Sequence, residues 1–319
     1  MMTINFYGVR GSHPAADRNM TKYGGNTSCV EVVKTNKNGI KVPVILDAGS
    51  GLIKLGYTLA GKLFSNEYSK TFPLLFTHLH PDHTEGFTFF TPIFFPFVEL
   101  HILGMETTHK SVGSILKEKM IPAIYPIEYK DLKARRVHGI LRDGQFFYIT
   151  QEGMPTANDA DPLFEISVMQ AFAPSHPQQG AMYYRITDPE DNSSLVCVWD
   201  IESHIGGDVR LIKFAEGADM MIHDTQYTEE EYESTAVPVQ GFGHSTYAMA
   251  IENAQKAGVK YLFSFHYNPR HSDALLDTVK EKYSKVKSPE FFMSREGLSI
   301  ALEKGKIVQR ESILAGFAK

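Results

Sequence analysis

Thr71-Phe72-Pro73-Leu74-Leu75-Phe76 runs directly into Thr77-His78-Leu79-His80-Pro81-Asp82-His83-Thr84-Glu85-Gly86, and this stretch decides the reading of the chain. Residues 72–76 form a short apolar run of the length of a buried strand. Three histidines and an aspartate then fall between positions 78 and 83. In extended chain, residues two apart point the same way, so His78 and His80 can reach one ion. Asp82 and His83 turn away and can serve a second. Imidazole nitrogens with a carboxylate suit zinc, with manganese or iron as competitors. A capped loop of solvated imidazoles is the alternative, but histidine is scarce and chance is a poor account of this spacing.

Outward from the cluster, residues 3–9, 28–34 and 41–46 alternate as strands, and Asn38-Gly39 is a strong hairpin signal. Glycine punctuates the loops at 8–12 and 22–27. After Asp47-Ala48-Gly49-Ser50-Gly51, the spacing of Leu52, Leu55, Leu59 and Leu63 predicts a helix. Further strands are predicted at 98–103, near 145–150 and at 164–171, with a helical stretch near 107–119 and a polar surface loop at 154–162. The second half repeats strand then helix. Strands are expected at 182–186, 194–199, 220–223 and 261–265, and helices at 209–216, 245–257 and 273–283. No repeat and no long linker breaks the pattern. Residues 1–319 therefore read as one α/β domain of two sheets with helices outside them.

Composition narrows the function classes. Hydrophobic residues make up 43% and charged residues 22%, which excludes a disordered or fibrous chain. The net charge of −5 argues against a dedicated binder of long nucleic acid, which normally carries a basic footprint. Cys29 and Cys197 cannot form a disulfide framework or a four-thiolate zinc site, and each sits in a strand-like run. The opening residues show no secretory signal. The most apolar segment, 87–98, is too short to span a bilayer and holds Pro92 and Pro96. A cytoplasmic protein without a membrane partner is expected. That segment carries six phenylalanines; as a helix it would be apolar on several faces, which suits core packing or a homodimer contact. A base-stacking wall of a pocket is the other reading.

The run THLHPDHTEG at 77–86 resembles the signature of the metallo-β-lactamase superfamily, H-x-H-x-D-H after a strand. His176 in APSHPQQGAMYYRI is similar to that family's next ligand histidine. Asp200 in SLVCVWD is similar to its bridging aspartate, and His266 in LFSFHYNP to its last ligand histidine. Asp47 in ILDAG resembles the aspartate that supports the ligands. Relatives usually carry Thr after the bridging aspartate, whereas Ile201-Glu202 follows here. Together these imply a four-layer αββα sandwich and two divalent ions, with Zn2+ favoured and Mn2+ or Fe as alternatives. His78, His80 and His176 would hold one ion, and Asp82, His83 and His266 the other, with Asp200 between them. A hydroxide held between the ions is the implied nucleophile, since a metal lowers the pKa of bound water from roughly 15.7 to about 7. His80 argues against the family's oxygen-reducing branch, which has an acidic residue there.

Gly243-His244-Ser245-Thr246 and Ile222-His223-Asp224-Thr225 bear on which bond is cut. They resemble the His-Ser-Thr loop and acidic partner of the transfer-RNA 3′-processing endonucleases and of small cyclic-phosphodiesterase relatives. There the histidine, oriented by a carboxylate, assists phosphodiester cleavage. Asp224 stands where the endonucleases carry Glu. His244, Asp224 and Asp82 are thus the catalytic candidates. Read without the family, His244 is a loop residue and Ser245 a helix cap. The endonucleases carry a long flexible arm, and nothing in this chain resembles its glycine-rich tip. VRGSHP at 9–14 and KYGGNTSCVEV at 22–32 resemble the phosphoribosyl cyclic phosphodiesterases, which would put Arg10, Ser12 and Asn26 near the pocket mouth. Turn glycines with Asn26 as their cap is an equal reading. The expectation is a dinuclear phosphodiesterase of a small, cyclic or nucleotide, substrate with no long nucleic acid as partner. A lactone or carboxylic ester hydrolase using the same ions is the alternative, and a metal-bound binding module without turnover is another.

Overall fold

Alternation along the strands sorts the apolar residues into three cores. The structure, a computed structural model, describes residues 1–107, 110–171, 175, 176 and 180–312. In the first sheet, β1 (Met2–Gly8), β2 (Cys29–Thr35), β3 (Lys41–Leu46), β4 (Thr71–Leu75), β5 (Glu99–Gly104) and β6 (Arg135–Ile140) lie side by side in that order. The second sheet takes β7 (Phe146–Ile149), β8 (Pro155–Thr156), β9 (Phe164–Ala171), β10 (Ala181–Thr187), β11 (Ser194–Val198), β12 (Met220–Asp224), β13 (Tyr261–Phe265) and β14 (Glu290–Met293). The late strands β15 (Leu298–Glu303) and β16 (Lys306–Ser312) return to the first sheet beside β1. β3 to β6 run parallel, as do β11 to β14, while the remaining pairs are antiparallel.

Val42, Val44 and Leu46 of β3 meet Ile166 and Val168 of β9 and Leu195 and Cys197 of β11 in the core between the sheets. Ile45, one step out of phase, faces the other way onto Leu52, Leu55, Leu59 and Leu63 of α1 (Gly51–Phe64). α2 (Val112–Lys119) packs on β5 on that side. Val196 and Val198 of β11 face outward onto α3 (Val209–Phe214), and, past the single turn α4 (Glu229–Tyr232), onto α5 (Tyr247–Lys256). α6 (Asp273–Tyr283) packs on β14. Helix, sheet, sheet and helix form four layers, the αββα arrangement.

Several expectations are corrected. Residues 87–98 do not form a helix. Pro92 and Pro96 interrupt the N–H ladder, leaving 3-10 turns at Phe87–Phe89 and Thr91–Phe94. Phe87, Phe90 and Ile93 are core residues, and the rings pair with Phe64, Phe72, Tyr125 and Tyr129 rather than with the histidine cluster. The stretch near 107–119 is helical from Val112, while Thr108 and His109 lie outside the described residues. The helix expected from 245 begins at Tyr247, and its cap is Thr246, whose hydroxyl accepts from Met249 N, instead of Ser245. The loop at 154–162 includes the two-residue β8. Among the described residues no helix is long and apolar enough to cross a membrane.

One buried acid makes stability depend on pH. Glu31 on β2 is almost fully buried, with Oε2 accepting from Asn5 Nδ2 at 2.8 Å and Oε1 without a partner. Burial pushes its pKa up from 4.5 to about 7, against the Asn5 hydrogen bond and the more distant Lys62 and Lys41. The fold therefore prefers the neutral acid. The penalty for ionising it is absent below pH 4.5, grows up to pH 7 and is constant above. Glu31→Gln should gain up to about 3 kcal/mol of stability at pH 8 and nothing near pH 4.5. Urea unfolding midpoints at the two pH values check this, and an equal gain at both would contradict it.

Candidate active site

The parallel strands end along one edge, and the chemistry-bearing residues follow them, as is usual for α/β sites. β3 delivers Asp47, β4 the segment 77–83, β11 Trp199 and Asp200, and β13 His266, while β12 ends on Asp224. β10 runs antiparallel to β11, so its start lies at the same edge, just after His176. Asp47, Asp200 and His266 have φ of 61°, 61° and 62°, a left-handed conformation that turns each residue sharply out of its strand. It costs about 1–2 kcal/mol for a residue with a Cβ, and such strain gathers at functional sites.

Among the described residues three groups of possible metal-ligand atoms result, the third of them, Asp200, His244 and His266, sharing two of its members with the other two. His78, His80, His176 and Asp200 form the first, and Asp82, His83 and His266 the second. His83 Nε2 lies 3.1 Å from Asp82 Oδ2 and 3.2 Å from Asp200 Oδ2. His266 Nε2 lies 3.2 Å from each of those oxygens and 3.3 Å from His83 Nε2. Bonds of about 2.0–2.1 Å to one tetrahedral ion would put its ligand atoms about 3.3 Å apart. The atoms of Asp82, His83 and His266 are thus spaced as three corners of a tetrahedral cage, with Asp200 Oδ2 close to both of its histidines. The first group is looser, with His176 Nε2 at 3.3 Å from His80 Nδ1 and His78 Nε2 at 3.6 Å from Asp200 Oδ1. His78 Nε2 and Asp200 Oδ2 are buried and make no hydrogen bond. A donor set of this kind fits divalent cations.

Around these atoms the supports are dense. Asp47 Oδ2 accepts from Thr77 Oγ1, from Trp199 Nε1 and from His83 Nδ1, each at 2.7 Å, and its Oδ1 accepts from Thr77 N at 2.7 Å. With Nδ1 so engaged, His83 turns Nε2 toward the cage. Ser12 N donates to Asp82 Oδ2 at 2.7 Å. Gly11 packs so closely on His266 that a Cβ there would meet the imidazole at 2.4 Å. Burial holds His78 and His80 below the usual histidine range and His176 at about 4, so these imidazoles are neutral, the form that binds a cation. Burial works against the charge on Asp82, yet His83 and His266 hold its carboxyl well below the usual range. Burial likewise opposes His83, but Asp82, Asp200 and Asp47 raise it. Binding a cation there displaces a proton.

Beside the cage stands His244. Its Nδ1 lies 2.8 Å from Asp224 Oδ2, so the shorter carboxylate reaches the ring from its strand end. Asp224 also accepts from Asp200 N at 2.9 Å, Gln226 N at 3.0 Å and Ser245 N at 3.2 Å, which fixes both of its oxygens. The His244 ring stacks on His266 with centroids 5.0 Å apart. Burial lowers its pKa, but Asp224, Asp200 and Asp82 reverse this and raise it.

The structure thus brings together His78, His80, Asp82, His83, His176, Asp200, His266, His244 and Asp224. Arg10 is elsewhere. Its guanidinium is fully buried and donates to the carbonyls of Gly24, Asn268 and His271, so it braces loops and does not line a pocket mouth. Asn26 is tied to Glu296 and Ser50, while Ser12 meets the site through its backbone. Sequence reasoning missed Trp199, the chain's one tryptophan, and Glu202, whose carboxylate binds the loop before His244. Their adjacency to Asp200 was the available signal.

No protein-family model matches the chain. A ribonuclease Z of Picrophilus torridus is 34% identical over 121 residues, covering 34% of this chain and 36% of that protein. The curated relatives matched first are covered over about a third of their length or less. Among solved structures, the metallo-β-lactamase fold protein YhfI from Bacillus subtilis superposes with a TM-score of 0.63 at 18% identity, covering 94% of this chain and all (100%) of that one. A diphosphatase from the PhnP family superposes with a TM-score of 0.60 at 13% identity, covering 95% and 98%. The chain thus has the metallo-β-lactamase fold and, over about a third of its length, sequence similarity to ribonuclease Z proteins.

Proposed function

We propose that the protein is a dinuclear metal-dependent phosphodiesterase acting on a small phosphodiester, cyclic or nucleotide in kind. The observation that carries this reading is the His244–Asp224 pair, closed at 2.8 Å and stacked on His266 beside the donor cage. Bound divalent ions, zinc first among them, would supply Lewis acidity and a water that ionises near neutral pH. Asp82, held by Ser12 N, and Asp200 would share in holding them. A phosphodiester expels an alkoxide, which leaves far more readily if it receives a proton. With Nδ1 bonded to Asp224, His244 keeps Nε2 free to deliver one, and the surrounding carboxylates favour its protonated form. Hydrolysis of a lactone or carboxylic ester by the same ions makes no use of this pair.

Rates on bis(p-nitrophenyl) phosphate, a thioester and a lactone, with metal content measured in parallel, test the reading. Turnover of the carboxyl substrates alone would replace it.

The relatives named ribonuclease Z favour a second reading, cleavage of RNA. Against it stands the net charge of −5. Binding to long RNA should be weak even in about 50 mM salt. Tight binding that falls steeply with salt in a filter assay would restore the nuclease reading.

A further inference from the structure

Glu202 lies two residues beyond Asp200, nearly buried at 8% exposure, and among the described residues no cation pairs with it. Its carboxylate is filled by other donors. Tyr232 Oη donates to Oε1 at 2.7 Å, Gly241 N lies 2.8 Å from both oxygens, and Gly243 N donates to Oε2 at 2.9 Å. Gly241 and Gly243 have φ of 85° and 86°, a conformation in which neighbouring N–H groups can converge on one anion. Gln240 Nε2 closes the same loop by donating to Tyr232 O at 2.9 Å. Through its own N–H, Glu202 also binds Ser175 O at 2.6 Å, next to His176, and His176 Nδ1 faces Gly243 O at 3.4 Å.

A segment with glycine on both sides of Phe242 has little stiffness of its own. His244 follows it directly, and the Asp224 bond fixes only one side of the ring. We propose that Glu202 is a positioning residue: its carboxylate clamps Gly241-Phe242-Gly243 and so sets where His244 Nε2 points. The inference rests on the phosphodiesterase reading, since it acts through His244. Glutamine cannot replace the carboxylate, because its amide NH2 would face a backbone N–H where an acceptor is required.

The test compares Glu202→Gln, His244→Ala and the double variant on phosphodiesters with poor and good leaving groups, with metal content measured in each. Glu202→Gln should lower kcat for the poor leaving group by about 10–100-fold, the scale of an ångström-level misplacement. It should change turnover of the p-nitrophenyl ester far less and leave metal content intact. In the His244→Ala background it should have no further effect, because both changes remove one function. Tyr232→Phe, which deletes one bond to the same carboxylate, should show the same pattern more weakly and carries the test if the first variant does not fold. Equal loss on both leaving groups, or a full further loss on top of His244→Ala, overturns the clamp. A silent Glu202→Gln beside a leaving-group-dependent His244→Ala defeats this inference alone. A His244→Ala variant with no leaving-group dependence defeats the phosphodiesterase reading and the clamp with it.

Discussion

Asp200→Ala should abolish hydrolysis and empty the site of metal while the fold survives. Asp200 belongs to the first donor group, and its Oδ2 also lies 3.2 Å from both His83 Nε2 and His266 Nε2. Its two oxygens divide between the halves of the site, Oδ1 toward His78 and Oδ2 toward His83 and His266. Losing a group that merely supports a ligand typically costs roughly 10–100-fold in metal affinity, so losing this carboxylate should exceed ~100-fold. Alanine also inherits the left-handed backbone at φ 61°, which aspartate and asparagine tolerate better. Asp200→Asn is therefore the companion variant, keeping the backbone preference and one oxygen while removing the charge. Metal content after dialysis, turnover and circular dichroism decide the matter. Full metal content with near-normal rate in Asp200→Ala would end the dinuclear proposal.

His244→Ala should lose about 10²–10⁴-fold in turnover of phosphodiesters with poor leaving groups, the usual contribution of a general acid. With p-nitrophenolate, which departs without protonation, the loss should be far smaller. Both ions should stay, since the first two donor groups are complete without His244. His244 Nδ1 is already committed to Asp224 at 2.8 Å. Equal losses across leaving groups would mean that His244 positions substrate and donates no proton. Loss of metal would make it a ligand, which the third donor group, Asp200, His244 and His266, allows geometrically.

The legible part of this site was the part that is local. His78 to His83 announce themselves because four potential ligands share six positions. His176, Asp200 and His266 are each unremarkable singly, and only their order after the cluster and the family resemblance picked them out. Asp224 and His244 came the same way. Contacts between the sheets were out of reach: the indole of Trp199 meets Asp47 across 152 positions, and although Trp199 adjoins Asp200, neither neighbourhood names the other as its partner. Arg10 was misplaced because a loop sequence does not say which way a guanidinium points; here it points into the protein. Among the strands, β6 and β16 escaped because both are largely exposed, so they show little apolar alternation. β14 and β15 were passed over although β15 alternates, with Leu298, Ile300 and Leu302 all in the core. The phenylalanine-rich segment misled through composition, since its prolines outweigh its apolarity.

Assembly of the cage from both sheets has a consequence in time. His83 and His266 are 183 positions apart. At about 5–20 residues per second, a growing chain would expose its early histidines for roughly 10–40 s before their last partner is made. During that interval the open His-x-His-x-Asp-His segment has no cage to choose among ions, and affinity alone ranks copper above zinc and zinc above manganese or iron. Selectivity belongs to the closed molecule, so the ion found in the protein depends on what the cell keeps free during synthesis as well as on the finished geometry. Protein refolded with one chosen ion and protein made in the cell are thus two separate measures of the same site.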